Sequence, residues 1–360
     1  MTHNHKTNKN DFKFGHASKA TVFAVISILF VSFFAGNLMI MPAMADNGNS
    51  INASVNAGVS VNASNNGINS NTNANANTNT GTNEKQAARQ TLKQAIQQDQ
   101  LTYKQSVQTA DLTYKQSVQD ATVAHTQAVQ NANVAYNQAV QNAREAYQTA
   151  IHGVHDTTTI GQAMATRDQA IATAETTKTN AIVSADVTRD KAVNSAWLTH
   201  QTTVYTALAT RDGNDGTAQA TFYTTIGNAT LATRAQAIGQ AHVTNDNAIL
   251  QARQTRINAV ENADVTRDQA LGTAQITYIS GEVSAKVTLD NAYTNNGKTW
   301  NTALQAYWNS LATLEQTKDN SIAQTNAVET TAVGNADGVR DQAIDQSYAT
   351  MYGSISAAYS

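Results

Sequence analysis

The chain of 360 residues contains no cysteine, so disulfides and thiolate metal centres are excluded and thiols say nothing of its redox compartment. Proline occurs once, at Pro42, and nothing after it breaks a helix by ring chemistry. Aromatic residues make up 6% and charged residues 14% of the chain, and alanine carries much of the apolar share, which argues against a bulky globular core. The net charge of −3 becomes more negative without Lys6, Lys9, Lys13 and Lys19. With no basic cluster to offset it, no nucleic-acid partner is expected. No nucleophile elbow, phosphate loop or paired-carboxylate signature is present. The chain is therefore read as a non-enzyme, with no cofactor and no small-molecule substrate.

What the N-terminus does contain is an export signal. Four lysines precede an apolar run from Ala20 to Gly36, and Ala43-Met44-Ala45 has the small-x-small form that a signal peptidase cuts. Residues 1–45 are expected to be removed, leaving a secreted or extracytoplasmic protein that begins at Asp46. An uncleaved signal anchor is the alternative, because the apolar stretch extends to Met41 and is nearly long enough to span a bilayer. Residues 46–83 are almost entirely Asn, Ser, Thr, Gly and Ala; they are expected to form a disordered linker that buries no core. Within it Asn52-Ala53-Ser54 and Asn62-Ala63-Ser64 match the N-glycosylation triplet, a match that such a composition produces by chance.

Beyond the linker the chain repeats every eleven residues. The stretch Leu101–Asp111 is followed by the near-identical Leu112–Thr122, and the phrase returns almost to the C-terminus. Eleven residues make three helical turns, so a recurring side chain keeps facing one direction along a nearly straight rod. The seventh position reads Ile96, Val107, Val118, Val129 and Val140, and alanine dominates the sixth and tenth. With the third position these form the stripe of a hendecad coiled coil. The first position carries a second apolar row, including Leu101, Leu112, Val123, Val134, Val243, Val265 and Val287, on the opposite side. Such a helix can meet two neighbours at once.

Three interruptions break the count: at residues 152–157, at 212–217 (Asp-Gly-Asn-Asp-Gly-Thr) and at 295–297 (Asn-Asn-Gly). Read as turns, they predict helices over 84–152, 159–211, 217–294 and 298–358, although the third, a heptad among hendecads, can also pass through as one continuous helix. The expected fold is all-α, an elongated hendecad coiled coil in which about four long helices form an antiparallel bundle, behind a disordered leader. Lateral self-assembly or a homo-oligomer is expected, along with a cell-envelope partner.

Three features are candidates for chemistry. The third position is Tyr103, Tyr114, His125, Tyr136 and Tyr147 in the first helix and then Arg167, Arg189, Arg211, Arg234, Arg256 and Arg267, several of them followed by aspartate. These stems are expected to lie along the alanine stripe with their polar ends in water, the arginines pairing with carboxylates on neighbouring helices. His152, His155 and Asp156 form the one cluster of metal-ligand types, a candidate zinc site that lacks a firm third ligand. Threonine holds the second position at Thr166, Thr177, Thr188, Thr199 and Thr210, and again at Thr233, Thr244, Thr255, Thr266, Thr277 and Thr288.

As a whole the chain resembles secreted Ala/Thr-rich hendecad coiled-coil proteins. Residues 166–288, with threonines eleven apart and alanines between, also resemble the alanine-rich helical (type I) antifreeze proteins. That resemblance implies a surface-binding threonine stripe able to match a flat lattice. The first helix departs from the pattern with Ala124, Ala135 and Ala146 where threonine should be. Late-embryogenesis-abundant proteins and exchangeable apolipoproteins share the eleven-residue period, but they are rich in Lys and Glu, unlike this chain. The function expected is structural: a stalk, fibre or envelope-associated scaffold, with an ice- or lipid-binding surface protein as the alternative.

Overall fold

The computed structural model describes residues 80–293 and 299–360, which belong to a single unit spanning Ala74–Ser360. The expected signal peptide and nearly all of the linker lie outside the described residues. Four long helices account for what is described: α1, Thr80–Ile151; α2, Thr157–Thr225; α3, Ala229–Tyr293; and α4, Trp300–Tyr359. They run for 72, 69, 65 and 60 residues, so each is roughly 90 to 110 Å long. The fold is all-α, and no strand occurs among the described residues.

The first turn falls where the sequence places it. Gly153 takes a left-handed conformation (φ 71°) that closes α1, and Asp156 caps α2 by accepting from the Thr158 and Thr159 N–H groups.

The second turn is a correction. Residues 212–217 are helical, and the chain reverses at Ile226-Gly227-Asn228 instead. There Asn228 N–H donates to the Tyr223 carbonyl and Gly227 N–H to that of Thr224, with Gly227 at φ 80°; this is a Schellman closure. The Asn228 side chain then caps α3 through Leu231 N–H. The two glycines read as helix breakers serve packing. A Cβ on Gly216 would stand 2.8 Å from the Gly239 Cα, and one on Gly213 would press on the Val243 side chain. Helix α3 ends at Tyr293 and α4 begins at Trp300, so the third break also separates two helices; residues 294–298 lie outside the described residues.

Neighbouring helices are antiparallel and hold one register along their whole length. Between α1 and α2 the third position meets the third position: Arg211 lies over the Tyr103 ring, Lys178 over Tyr136 and Arg167 over Tyr147. At the same spacing Tyr114 packs on Trp197 and His200. These cation–π rungs recur with the eleven-residue repeat, and each contributes about 0.5–1 kcal/mol where partly exposed. The tenth-position alanines Ala110, Ala121, Ala132 and Ala143 are buried between the rungs. Alanine permits close helix approach and supplies little hydrophobic energy, so the ring contacts set the register.

Among the described residues, helices pack only on their chain neighbours: α1 on α2, α2 on α3, and α3 on α4. The series does not close, since α1 and α4 do not meet. Helices α2 and α3 each have a neighbour on both sides, and the bulky core concentrates on α3: Ile249, Ile257, Ile279 and Leu289 are buried there, each contributing roughly 1.5–3 kcal/mol. On α1 the first-position row is open to solvent, with Leu101, Leu112, Val123 and Val134 between 49% and 68% exposed.

Candidate functional site

The most unusual chemistry lies in the seam between α2 and α3, along the fourth position of the repeat. Third-position arginines that an aspartate follows bind it. Arg167 Nε donates to Asp168 at 2.6 Å, Arg189 Nε to Asp190 at 2.7 Å and Arg267 Nε to Asp268 at 3.0 Å. Held in this way, Asp168 and Asp190 are buried in the seam, Asp190 to 2% exposure; on α3, Asp290 is buried to 1%. The seam thus sets Asp168 against Asp290, Asp190 against Asp268 and Asp212 against Asp246, carboxyl facing carboxyl. Buried Ile279 and Ile257 occupy the intervening repeats on α3.

A hydrogen bond between two carboxyls requires a proton on one of them, and two buried negative charges in contact cannot both persist. Burial first, and then the charge and hydrogen bond of Asp212, push Asp246 up to about 7. Burial likewise raises Asp268 to about 6 with Asp190 beside it, and Asp290 to about 6 with Asp168 beside it. Burial also pushes Asp168 upward, but hydrogen bonds from Arg167 and Lys286 outweigh it and hold that carboxyl below its ordinary range. One member of this pair is set up and the other down, as expected for two acids sharing a proton. Asp264, one turn from Asp268, is pushed up to about 7 by burial and by the charges of Asp190 and Glu329. The side-chain oxygens Oδ2 of Asp190, Asp246, Asp268 and Asp290 are shut off from water and accept no hydrogen bond from a donor group, although Arg267 Nη2 stands 3.6 Å from Asp190 Oδ2.

Paired acids with split proton affinities are also the machinery of general acid–base catalysis. Here they lie between two packed helices, where no substrate atom can reach the shared proton. What the arrangement can do is make the α2–α3 seam sensitive to pH. Sequence reasoning places these arginine–aspartate pairs in solvent. The available signal was the Arg-Asp dipeptide at Arg167, Arg189, Arg211, Arg267 and Arg340, always at one phase of the repeat.

The structure separates the other candidates. All of the expected stripe is exposed: Thr166, Thr177, Thr188, Thr199 and Thr210 on α2, and Thr233, Thr244, Thr255, Thr266, Thr277 and Thr288 on α3. Each hydroxyl donates to the carbonyl four residues before it, as Thr255 does to Gln251 at 3.0 Å and Thr266 to Asn262 at 2.7 Å. That leaves an ordered row of methyl groups and acceptor oxygens facing out. Of the zinc candidates, His152 and His155 are exposed at the first turn, while Asp156 is spent as a helix cap. Hydrogen bonds from the Thr159 hydroxyl and then from backbone N–H groups hold its carboxyl below the ordinary range. No group of three His, Cys, Asp or Glu able to hold a metal ion occurs among the described residues.

A groove of about 650 Å³ runs between α3 and α4, lined by small residues such as Ala241, Ala248, Ala252 and Ala343. No ionisable side chain lines it, so it offers no acid or base to a bound molecule. No described helix is long and apolar enough to cross a membrane. The chain matches no family model, no curated protein and no solved structure.

Proposed function

We propose that this protein is an extracytoplasmic structural protein, a stalk, fibre or envelope-associated scaffold, that holds distance with long helices and associates through their faces. The observation that carries the reading is the open series of helices, in which α1 and α4 each cover only one side. An enzyme needs an enclosed, desolvated site; here the buried polar groups are sealed in a seam and the groove between α3 and α4 is open and has no ionisable lining. A helical rod provides length, and an unclosed edge provides a place for further helices. Light scattering on the purified full-length chain over a hundredfold concentration range tests this. Mass that grows reversibly with concentration supports the scaffold reading, and a constant monomer mass refutes it.

A second reading, binding to ice, is favoured by one observation: the eleven threonines all stand exposed at the repeat spacing. Thermal hysteresis with crystal shaping, abolished by Thr→Leu changes at Thr244, Thr255 and Thr266, would support it. Its absence at millimolar protein would remove it.

A further inference from the structure

The α2–α3 seam is built from two different sides, and the free edges of the chain carry an unmatched copy of each. Helix α4 runs in the same direction as α2. It repeats the arginine–aspartate pair, with Arg340 at 2.7 Å from Asp341, yet Asp341 is 62% exposed where Asp190 is 2% exposed. Gly334 occupies the repeat position of Gly216, the residue on which α2 touches α3. Nothing stands within 4 Å of a Cβ built on Gly334, whereas Gly216 meets the Gly239 backbone. On this face α4 is an α2 without its α3.

Helix α1 runs in the direction of α3 and carries the other side. Leu101, Leu112, Val123 and Val134 hold the repeat position of Val243, which on α3 packs over Gly213. Gln119 stands where α3 has Gly239. Lys115, exposed, stands where α3 has the seam aspartates. An acid on the open face of α4 thus answers a base on the open face of α1, whereas acid meets acid within the chain.

The internal contacts also fix the axial level of the two edges. Asp111 on α1 binds His200 on α2, the adjacent Gln201 is bound by Arg253 on α3, and one turn further Arg256 binds Asp337 on α4. Counted along these antiparallel contacts, Lys115 and Asp341 stand about 9 Å apart along the axis, under two helical turns. A second copy set beside the first needs an axial slide of about that length to bring them together.

We propose that α4 of one copy packs antiparallel on α1 of a second copy, repeating the α2–α3 seam between chains, with Asp341 paired to Lys115 of the second copy and Gly334 against its Gln119. This rests on the scaffold reading and names its contact. The two faces differ, so every added copy leaves one of each unsatisfied and the contact propagates from chain to chain.

The absence of cysteine makes the test direct. Full-length Gln119→Cys and Gly334→Cys, mixed and mildly oxidised, should give a disulfide dimer. The double variant should give a ladder, and either single variant alone should stay monomeric on a non-reducing gel. By light scattering, Lys115→Glu should weaken association by about tenfold or more, and adding Asp341→Lys should restore most of it. Self-cross-linking of either single variant as efficient as the mixed reaction would overturn the proposal in favour of like faces meeting. Oligomers that form without any 119–334 cross-link would overturn it while leaving the scaffold reading intact. A protein that stays monomeric at every concentration would end both.

Discussion

Replacing Asp246 with asparagine should stabilise the protein at neutral pH and change little in acid. In the native seam Asp246 is 5% exposed and carries the proton of its hydrogen bond to Asp212 up to pH about 7, against 3.8 for the unperturbed group. A carboxyl raised by folding contributes stability that is complete below its unfolded value. That contribution is lost as pH climbs through the folded value, so the loss falls between pH about 4 and 7. At about 1.36 kcal/mol per pH unit the full displacement is worth roughly 4 kcal/mol; relaxation and water entry in a seam one helix deep leave roughly 2–4. Asparagine keeps the shape of the protonated acid, donates an amide N–H to Asp212 and cannot ionise. Circular dichroism melts at pH 4 and pH 7.5 read the difference. The variant should melt about 4–10 °C above the native protein at pH 7.5 and within about 2 °C of it at pH 4. Asp264, Asp268 and Asp290 shift in the same direction as Asp246, so the native melting temperature should itself fall across this window. Asp168 and Asp156, both held low, act in the opposite sense, and only as pH falls below their ordinary range. A variant that melts at or below the native protein at pH 7.5, or a native stability that is flat from pH 4 to 7.5, refutes the shared-proton argument.

Three further outcomes follow from packing and processing. Ile257→Ala, at a side chain 3% exposed, should cost about 2–5 kcal/mol in denaturant unfolding, whereas Leu112→Ala, 68% exposed, should cost under about 0.5 in the dilute monomer. Gly281→Ala should destabilise by about 1–3 kcal/mol because its methyl would overlap the Leu314 side chain, while Gly334→Ala, in open space, should stabilise by about 0.5–1; thermal melts of the pair decide the sign. N-terminal sequencing of exported protein should begin at Asp46, and a retained Met1 would favour the anchor.

The eleven-residue period made the helices legible, because one repeat both names the rod and aligns its faces. The first turn was legible too, since Gly153 and Asp156 act locally, each on its own backbone. Gly213 and Gly216 misled because a glycine that ends a helix and one that admits a neighbour look alike in sequence. Only Gly239, brought close by folding, tells them apart. The true turn at Gly227-Asn228 is a short signal beside that louder one. The buried aspartates escaped notice for a physical reason: a carboxylate is placed in solvent by default, and only a second carboxyl from α3 lets the acid stay neutral inside. The openness of the series was equally hidden. The first-position row is half-buried between neighbours at Val243 and Val265 on α3 and exposed at Val123 and Val134 on α1, although the residue type is the same.

The central claim is that α1 and α4 of one chain do not meet, and a spin-label distance tests it most directly. Labels at Gln119→Cys and Gly334→Cys, in a chain diluted with unlabelled protein, report the separation within one molecule by double electron–electron resonance. Three helix spacings of about 8–10 Å along an open series predict a distance beyond about 20 Å. A population centred near 10–12 Å would mean that the helices close on themselves, and the edges on which this account rests would not exist.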